Sequence, residues 1–105
     1  MAKTISRAEL QDAMARGSAV VVDALPPGAY GRRHLPGAVN LAAEDIDRAG
    51  ERLPGLDGSI VVYSTDSACT RGPEVAQLLD DRGYRDVRLY ADGIEDWVRA
   101  GLPVE

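Results

Sequence analysis

The sequence contains one cysteine, one histidine and no phenylalanine among its 105 residues. Because Cys69 is the single thiol, an internal disulfide and a metal site of several cysteines are excluded. No apolar run approaches the ~20 residues that a membrane-spanning helix requires, and the first residues show no signal-peptide pattern. These absences predict a cytoplasmic protein that uses no membrane, no metal and no organic cofactor, and whose thiol stays reduced.

Positive charge is also scarce in this sequence. The formal net charge is -5, and the basic residues are scattered among acidic ones, apart from the pair Arg32-Arg33. We interpret that pair as a solvated surface, and the absence of a basic face argues against a nucleic-acid partner. Apolar residues make up 45% of the chain and charged residues 28%, as is typical of globular proteins. This length predicts one domain over residues 1–105.

Strand and helix patterns alternate along the chain. A capping box at Ser6–Glu9 begins the first helix, and β-branched runs at Val20–Val22 and Ile60–Val62 predict strands covered on both faces. Pro73 suits the first position of a helix, and Trp97 lies on an apolar helix face that predicts core packing. Further short helices are predicted at residues 29–33 and 42–53. The alternation predicts an α/β fold with a mainly parallel sheet and helices on both faces.

Two loops are the predicted location of a ligand, because parallel sheets bind ligands beyond the carboxyl ends of their strands. One follows Asp23, and the other, Ser64–Arg71, follows Tyr63 and precedes a helix. Backbone N–H groups at a helix start lack intrahelical partners and lie at the positive end of the helix dipole. Such a position binds anions and lowers the pKa of a thiol. Cys69 is therefore a candidate nucleophile, and Arg71 is a candidate for holding an anionic substrate.

The same residues also have ordinary structural interpretations. Cys69 could be a small buried hydrophobe, and the polar loop residues could cap turns. Asp66 would repel an anionic substrate and raise the pKa of a nearby thiol. For His34 we favour a ring that bonds to backbone over acid–base chemistry, and for Asp23 we favour turn capping.

Three segments, present in order and at the right separations, together carry a family resemblance. The first is a strand ending in Asp23, followed by Tyr30 and the run His34–Asn40; it is similar to a family pattern of strand, Asp, Tyr and His-Ile-Pro-Gly-Ala. The second is the strand Ile60–Tyr63, which leads into the loop. The third comprises Gly93-Ile94-Glu95-Asp96-Trp97 and Ala100-Gly101-Leu102-Pro103-Val104. Over nearly its whole length the chain resembles the rhodanese-like (sulfurtransferase) domain family.

The resemblance implies a three-layer domain in which a parallel sheet of about five strands lies between helices. It also implies a chemistry, in which a cysteine thiolate takes the outer sulfur of a donor such as thiosulfate. The resulting persulfide passes that sulfur to cyanide, another thiol or a protein. The expected partners are thus a small anionic sulfur donor and a thiol or protein acceptor, for a monomer or weak dimer. The loop residues expected to bind substrate are Thr65, Asp66, Ser67, Ala68, Thr70 and Arg71.

The sequence departs from the family at the reacting position. The family's cysteine directly follows the strand in a Val-Val-Tyr-Cys pattern, whereas here Ser64 holds that position. A serine hydroxyl is barely ionised near neutral pH and forms no stable persulfide. Some relatives carry a second cysteine five residues after the first, and Cys69 occupies that position relative to Ser64. Leu25 also stands where relatives often have the arginine of Asp-x-Arg, and it cannot make that arginine's ionic contacts.

Three hypotheses follow from these departures. Cys69 carries the sulfur; or the domain keeps the fold without the reaction and acts as an anion- or protein-binding regulatory module; or Ser64 is an engineered replacement of an active cysteine. Phosphatase-like or arsenate-reductase-like chemistry is disfavoured, because Cys69 directly precedes Thr70-Arg71 and leaves the anion-binding loop too short. Sulfurtransferase is the family label that the pattern favours.

Overall fold

The computed structural model describes residues 3–105, and within them five strands form one sheet in which every pairing is parallel. The strands are β1 (Lys3–Thr4), β2 (Val20–Asp23), β3 (Val39–Asn40), β4 (Ser59–Tyr63) and β5 (Asp86–Tyr90). They lie in the order β1-β5-β4-β2-β3, so β4 is the central strand. The predicted parallel sheet of about five strands is confirmed.

Each strand is followed in sequence by helical segments. They are α1 (Arg7–Arg16), α2 (Pro27–Arg32), a 3-10 helix (Ala43–Arg48) continuing into α3 (Ala49–Arg52), α4 (Arg71–Asp81) and α5 (Gly93–Arg99). The predicted capping box begins α1: the Glu9 N–H donates to the Ser6 hydroxyl at 3.1 Å, and the Ser6 N–H donates to the Glu9 carboxylate at 3.0 Å. Gly17 ends this helix with a φ of 63°, a conformation that glycine adopts without strain.

Two cores pack against opposite faces of the sheet, because successive strand residues point to opposite sides. On one face, Val22, Ile60 and Val62 pack against α4 and α3. On the other, Val21 and Val61 pack against α1 and α5. The helix residues that complete these cores are Ala49, Val75, Ala76 and Leu79 on the first face, and Leu10, Ile94 and Trp97 on the second. The three-layer architecture predicted from the alternation is therefore confirmed.

Several elements differ from the sequence prediction, and helix α2 begins at Pro27 rather than at residue 29. Strand β1 was not predicted, since two exposed residues show no hydrophobic pattern and pair only with β5. The single helix predicted within residues 42–53 is a 3-10 segment followed by α3, with a non-helical break at Asp45. Helix α4 begins at Arg71 rather than at Pro73; a proline in the first turn is tolerated because the N–H it lacks would have no intrahelical partner.

Trp97 is a core residue, as predicted. It is 3% exposed, and its indole N–H donates to the Pro103 carbonyl at 2.8 Å. Its ring meets that of Tyr90 edge-on, a favourable aromatic arrangement. Within residues 3–105, none of the helices is both long and apolar enough to span a membrane.

Candidate active site

The loop after β4 lies at the point where the order of strands reverses. From β2 the chain moves outward to β3, and it then returns to the other side of β2 to form β4 and β5. Crevices at such reversals, beyond the carboxyl ends of the strands, are the usual binding sites of open α/β sheets. The loops that follow Asp23 and Tyr63 therefore flank one crevice, since these two residues are partners in adjacent strands.

Helix α5 holds the start of this loop in place. The Ile94 N–H donates to the Ser64 carbonyl at 2.9 Å, and the Glu95 N–H donates to the Thr65 carbonyl at 3.0 Å. Gly93 makes this approach possible, because its φ is +68° and a Cβ there would lie 2.5 Å from both carbonyl oxygens. The Gly93-Ile94 motif is thus a backbone clamp on residues 64 and 65.

Ser64 lies under the loop rather than on its surface. It is 3% exposed, and its hydroxyl would be 2.8 Å from a Cβ placed on Gly72 in the first turn of α4. The glycine therefore provides the room that the Ser64 side chain occupies. Its hydroxyl is the first of the hydrogen-bond donors that lower the pKa of the Cys69 thiol.

The Cys69 side chain points into the loop and is partly buried there. The groups that lower its pKa are hydrogen-bond donors around the sulfur: the Ser64 hydroxyl, the backbone N–H groups of Arg71 and Thr65, and the Thr65 hydroxyl. Burial alone would raise the pKa of this thiol, but the hydrogen bonds outweigh burial and hold the pKa below its ordinary value. Donors of this kind stabilise a thiolate over a thiol. These donors favour the interpretation of Cys69 as a candidate nucleophile over that of a small buried hydrophobe.

Asp66 behaves differently from the sequence expectation. Its carboxylate accepts from the N–H groups of Ala68 and Cys69, at 3.0 and 3.1 Å. Whatever Asp66 contributes, hydrogen bonds from Ser64, Arg71 and Thr65 hold the pKa of Cys69 below its ordinary value. The carboxylate points at the loop backbone, where two amides compensate its charge. Those amides bind an internal carboxylate, so the anion-binding nest is smaller than the sequence suggested.

The other loop residues occupy distinct positions. Arg71 contributes its backbone N–H to the Cys69 sulfur, while its guanidinium extends toward Glu44, 3.8 Å from that carboxylate. Thr70 immediately precedes α4 and makes no side-chain capping bond. Ser67 and Ala68 are exposed at the tip of the loop. The structure thus brings Ser64, Thr65 and Cys69 together and leaves the Arg71 side chain at the margin.

A buried network supports the crevice from below. The Tyr63 hydroxyl donates to Asp23 at 2.7 Å and accepts from the Leu35 N–H at 3.0 Å. The second carboxylate oxygen of Asp23 accepts from the Leu25 N–H at 2.8 Å, so the predicted turn capping is confirmed. Burial raises the pKa of Asp23 above its ordinary value, although the bonds from Tyr63 and Leu25 oppose the shift. These groups fix the ends of β2 and β4.

His34 has a structural role, as predicted. Its Nδ1 lies 2.8 Å from the Tyr30 carbonyl oxygen, and its ring stacks on that of Tyr30 with centroids 3.9 Å apart. Backbone bonds join His34 to Glu105 in both directions. The imidazole therefore packs against α2, while the His34 backbone holds Glu105 beside it. The Tyr30 hydroxyl in turn donates to the Ala38 carbonyl at 2.6 Å.

A cavity of about 390 Å³ adjoins the loop. Its walls come from the segment after β2, from α2, from the loop and from α5: Leu25, Ala29, Arg32, Arg33, Thr65, Ile94 and Glu95. The sequence pattern did not reveal this cavity, and Arg32-Arg33 was predicted to form a solvated surface. The position of Arg32-Arg33 in the sequence could have predicted their place in the cavity wall, because α2 directly follows β2 and must flank the crevice. In the part of the chain that the structure describes, no cluster of three or more metal-ligating side chains could hold an ion.

The comparisons agree with this architecture. The family profile of the rhodanese-like domain matches residues 6–100. Two chains of known structure superpose closely: human single-domain sulfurtransferase TSTD1, with a TM-score of 0.84 and 24% identity over 94% of this chain and 97% of that one, and BH2092 of Bacillus halodurans, with a TM-score of 0.87 and 24% identity over 99% and 77%. At these identities the likeness concerns the fold.

One curated relative has a higher sequence identity to this chain than these two structures have. It is the HTH-type transcriptional regulator Rv0324 of Mycobacterium tuberculosis, 39% identical over 102 residues that make up 96% of this chain. Those residues cover 44% of the regulator, so this chain spans less than half of its length. The uncharacterized protein YibN of Escherichia coli is 27% identical over 97% of this chain and 71% of its own.

Proposed function

The chain belongs to the rhodanese-like domain family, and on that premise we propose that it transfers sulfane sulfur through Cys69, from an anionic donor such as thiosulfate to cyanide or a thiol. The observation that carries the proposal is the surroundings of the Cys69 sulfur, which four hydrogen-bond donors from Ser64, Thr65 and Arg71 approach. Thiolates are the nucleophilic form of cysteine. Donors fixed around the sulfur stabilise negative charge both before and after sulfur transfer.

The reaction proceeds in two substitutions at sulfur. The Cys69 thiolate attacks the outer sulfur of thiosulfate; a sulfur–sulfur bond forms on Cys69, the sulfur–sulfur bond of thiosulfate breaks, and sulfite leaves with the bonding electrons. An acceptor, either cyanide or a thiolate, then attacks the terminal sulfur of the persulfide. Cys69 departs as a thiolate, stabilised by the Ser64 hydroxyl and the N–H groups of Thr65 and Arg71.

Ser64 acts in this proposal as a donor rather than as the nucleophile. It holds the position of the family's cysteine, but its hydroxyl contacts the sulfur of Cys69. In this proposal the reacting sulfur therefore lies at position 69 instead of position 64, next to the serine that holds the family's cysteine position. The Ser64 side chain is buried, so its hydroxyl is shielded from competing water and its bond to a charged sulfur is strengthened.

Steady-state turnover of thiosulfate with cyanide tests the proposal. We expect the wild-type protein to form thiocyanate, Cys69→Ala to fall to the uncatalysed rate, and the double variant Ser64→Cys/Cys69→Ala to recover turnover, because it returns a thiol to the family position. Ser18→Ala, an exposed serine at the end of α1, is the matched control and should behave as wild type. Equal rates for the wild-type and Cys69→Ala proteins would exclude Cys69 as the carrier.

One observation favours a second function, an anion- or protein-binding regulatory module without turnover. The Asp66 carboxylate binds the N–H groups of Ala68 and Cys69. Fewer amides are therefore available to a substrate anion than in a loop whose N–H groups are all free to bind it. A regulator is also among the relatives. This alternative predicts saturable binding of thiosulfate, seen as shifts of the loop's amide NMR signals, with no thiocyanate formed. Unchanged loop signals at saturating thiosulfate would eliminate anion binding as the function.

A further inference from the structure

An ion pair joins the two helices that flank the crevice. The guanidinium of Arg33, which directly follows α2, donates to the carboxylate of Glu95 in the first turn of α5. The two residues are 62 positions apart in the sequence, and both line the cavity beside the loop. Their side chains are 41% and 39% exposed, so the pair spans the crevice while remaining partly open to water.

Glu95 also belongs to the backbone clamp on the loop. The first N–H groups of a helix have no intrahelical partners, and no side-chain hydrogen bond caps the start of α5. The Glu95 N–H donates instead to the Thr65 carbonyl at 3.0 Å. The loop thus caps the helix, and a single residue, Glu95, connects Arg33 through its side chain with Thr65 through its backbone.

Thr65 extends this connection to the thiol. Its N–H and its hydroxyl are among the donors that lower the pKa of Cys69. A donor stabilises a thiolate only while it is held at hydrogen-bonding distance and in a suitable direction. The position of α5 therefore bears on the state of the sulfur, because α5 holds the carbonyl of the residue that supplies two of these donors.

The opposite side of α5 is anchored by separate bonds. The Asp96 carboxylate accepts from the Arg7 guanidinium at 3.0 Å and from the Tyr90 hydroxyl. These contacts hold α5 against the start of α1 and the end of β5, but they do not reach α2. The link between α5 and the far wall of the crevice is made by Arg33 and Glu95.

We propose that Arg33 is a positioning residue for Cys69, which acts through the Glu95 side chain on the Thr65 donors at the sulfur. Loss of the ion pair frees the start of α5, weakens the clamp on Thr65 and leaves the thiolate with poorer donors. As a statement about sulfur transfer this rests on the proposed function. It is tested on the thiol itself, by a measurement that needs no turnover.

The test is the pH dependence of Cys69 alkylation by iodoacetamide in Arg33→Ala, Glu95→Ala and the double variant. If charge alone acted, Arg33→Ala would shift the profile to higher pH and Glu95→Ala would shift it to lower pH. The double variant removes one charge of each sign and would then overlay the wild type. Positioning predicts a double variant shifted to higher pH, with alkylation at pH 7 slowed about two- to threefold, as a half-exposed pair allows.

The matched control is the double variant Arg85→Ala/Asp57→Ala. These two residues form an exposed ion pair before β5 and β4, at the amino ends of the strands and therefore at the opposite edge of the sheet. The control removes the same two charges and should overlay the wild type. The remaining charged groups beside Glu95 are the same in every variant; they line a second cavity of about 250 Å³ and are Asp66, Asp92, Asp96 and Arg99.

Hydrogen exchange separates a loosened clamp from a loosened fold. The Glu95 N–H should exchange several-fold faster in Arg33→Ala, while the amides of β4 keep their wild-type protection. An alkylation profile of Arg33→Ala/Glu95→Ala that overlays the wild type overturns the inference, as does unchanged exchange of the Glu95 N–H in Arg33→Ala. A shifted profile in a protein that forms no thiocyanate would contradict the transfer reaction and leave the positioning of Cys69 by Arg33 established.

Discussion

The Ser64 hydroxyl is the first of the hydrogen-bond donors that lower the pKa of the Cys69 thiol, so we expect the reactivity of the thiol to depend on the serine. Replacing Ser64 with alanine removes a donor to the thiolate without adding bulk against Gly72. We expect the pKa of Cys69 to rise and its alkylation by iodoacetamide at pH 7 to slow by about tenfold, since a hydrogen bond to a charged group contributes roughly 1.5 kcal/mol or more.

The measurement is the pH dependence of the alkylation rate, which reports the thiolate fraction directly. The profile of Ser64→Ala should shift to higher pH, while that of Ser18→Ala should coincide with the wild type. If the Ser64→Ala profile instead overlaid the wild type, the hydroxyl would have no part in stabilising the thiolate.

At the scale of single residues, the sequence predicts which side chains share the loop but not the direction in which each one points. Because Ser64 follows a buried strand and Cys69 lies five residues on, their presence in one loop was predictable from strand and helix signals. The direction of the Asp66 side chain was not. It depends on the turn that lets one carboxylate reach the N–H groups of both Ala68 and Cys69, and such a turn competes with other conformations that the same residues permit.

Among the elements, helix α5 determines the shape of the loop through Gly93. Replacing Gly93 with alanine would place a Cβ 2.5 Å from two carbonyl oxygens at a φ of +68°. We expect a loss of at least about 1–3 kcal/mol in the free energy of unfolding from backbone strain alone, together with displacement of residues 64 and 65. Urea denaturation measures the stability, and the alkylation rate of Cys69 reports the loop.

The matched control for this change is Gly50→Ala in α3. A Cβ at Gly50 meets nothing within 4 Å, and its φ is not positive. Alanine there should leave the protein as stable as the wild type or stabilise it by up to about 1 kcal/mol. Similar urea midpoints for Gly93→Ala and Gly50→Ala would contradict the backbone clamp.

The elements that sequence reasoning found are those with strong local signals. The β-branched run of β4 and the capping box of α1 can each be recognised from a few neighbouring residues. Strand β1 has only two exposed residues and is specified by its partner β5, far along the chain. The cavity between α2 and α5 is likewise a product of tertiary packing. Only the positional rule for parallel sheets could have assigned Arg32 to it.

For the molecule as a whole, the buried Asp23 predicts a distinct pH dependence of stability. Burial raises the pKa of Asp23 in the folded protein above its ordinary value of 3.8. Between pH 3.8 and the pKa of Asp23 in the folded protein, the folded state therefore keeps the Asp23 proton that the unfolded state has lost. Asp23 contributes stability that is complete below pH 3.8 and is lost as the pH rises through the folded pKa.

Other carboxylates act in the opposite direction, so the prediction concerns a difference. Hydrogen bonds from Arg88 and Tyr90 lower the pKa values of Asp86 and Asp96 respectively, and their contributions fall away in acid. Comparing wild type with Asp23→Asn cancels these groups. The stability of Asp23→Asn relative to wild type should increase as the pH rises above 3.8 and then level off. A relative stability that is constant or falls with pH would show that ionisation of the buried Asp23 does not destabilise the folded state.

The residue that receives the transferred sulfur decides whether Cys69 is the sulfur carrier. The protein is incubated with thiosulfate without an acceptor, and the adduct is located by intact mass and peptide mapping. If Cys69 carries the sulfur, the wild-type protein gains one sulfur atom, on the peptide containing Cys69, and Cys69→Ala gains none. An unmodified Cys69 in the wild type, under conditions in which Ser64→Cys/Cys69→Ala accepts one sulfur at position 64, would contradict it.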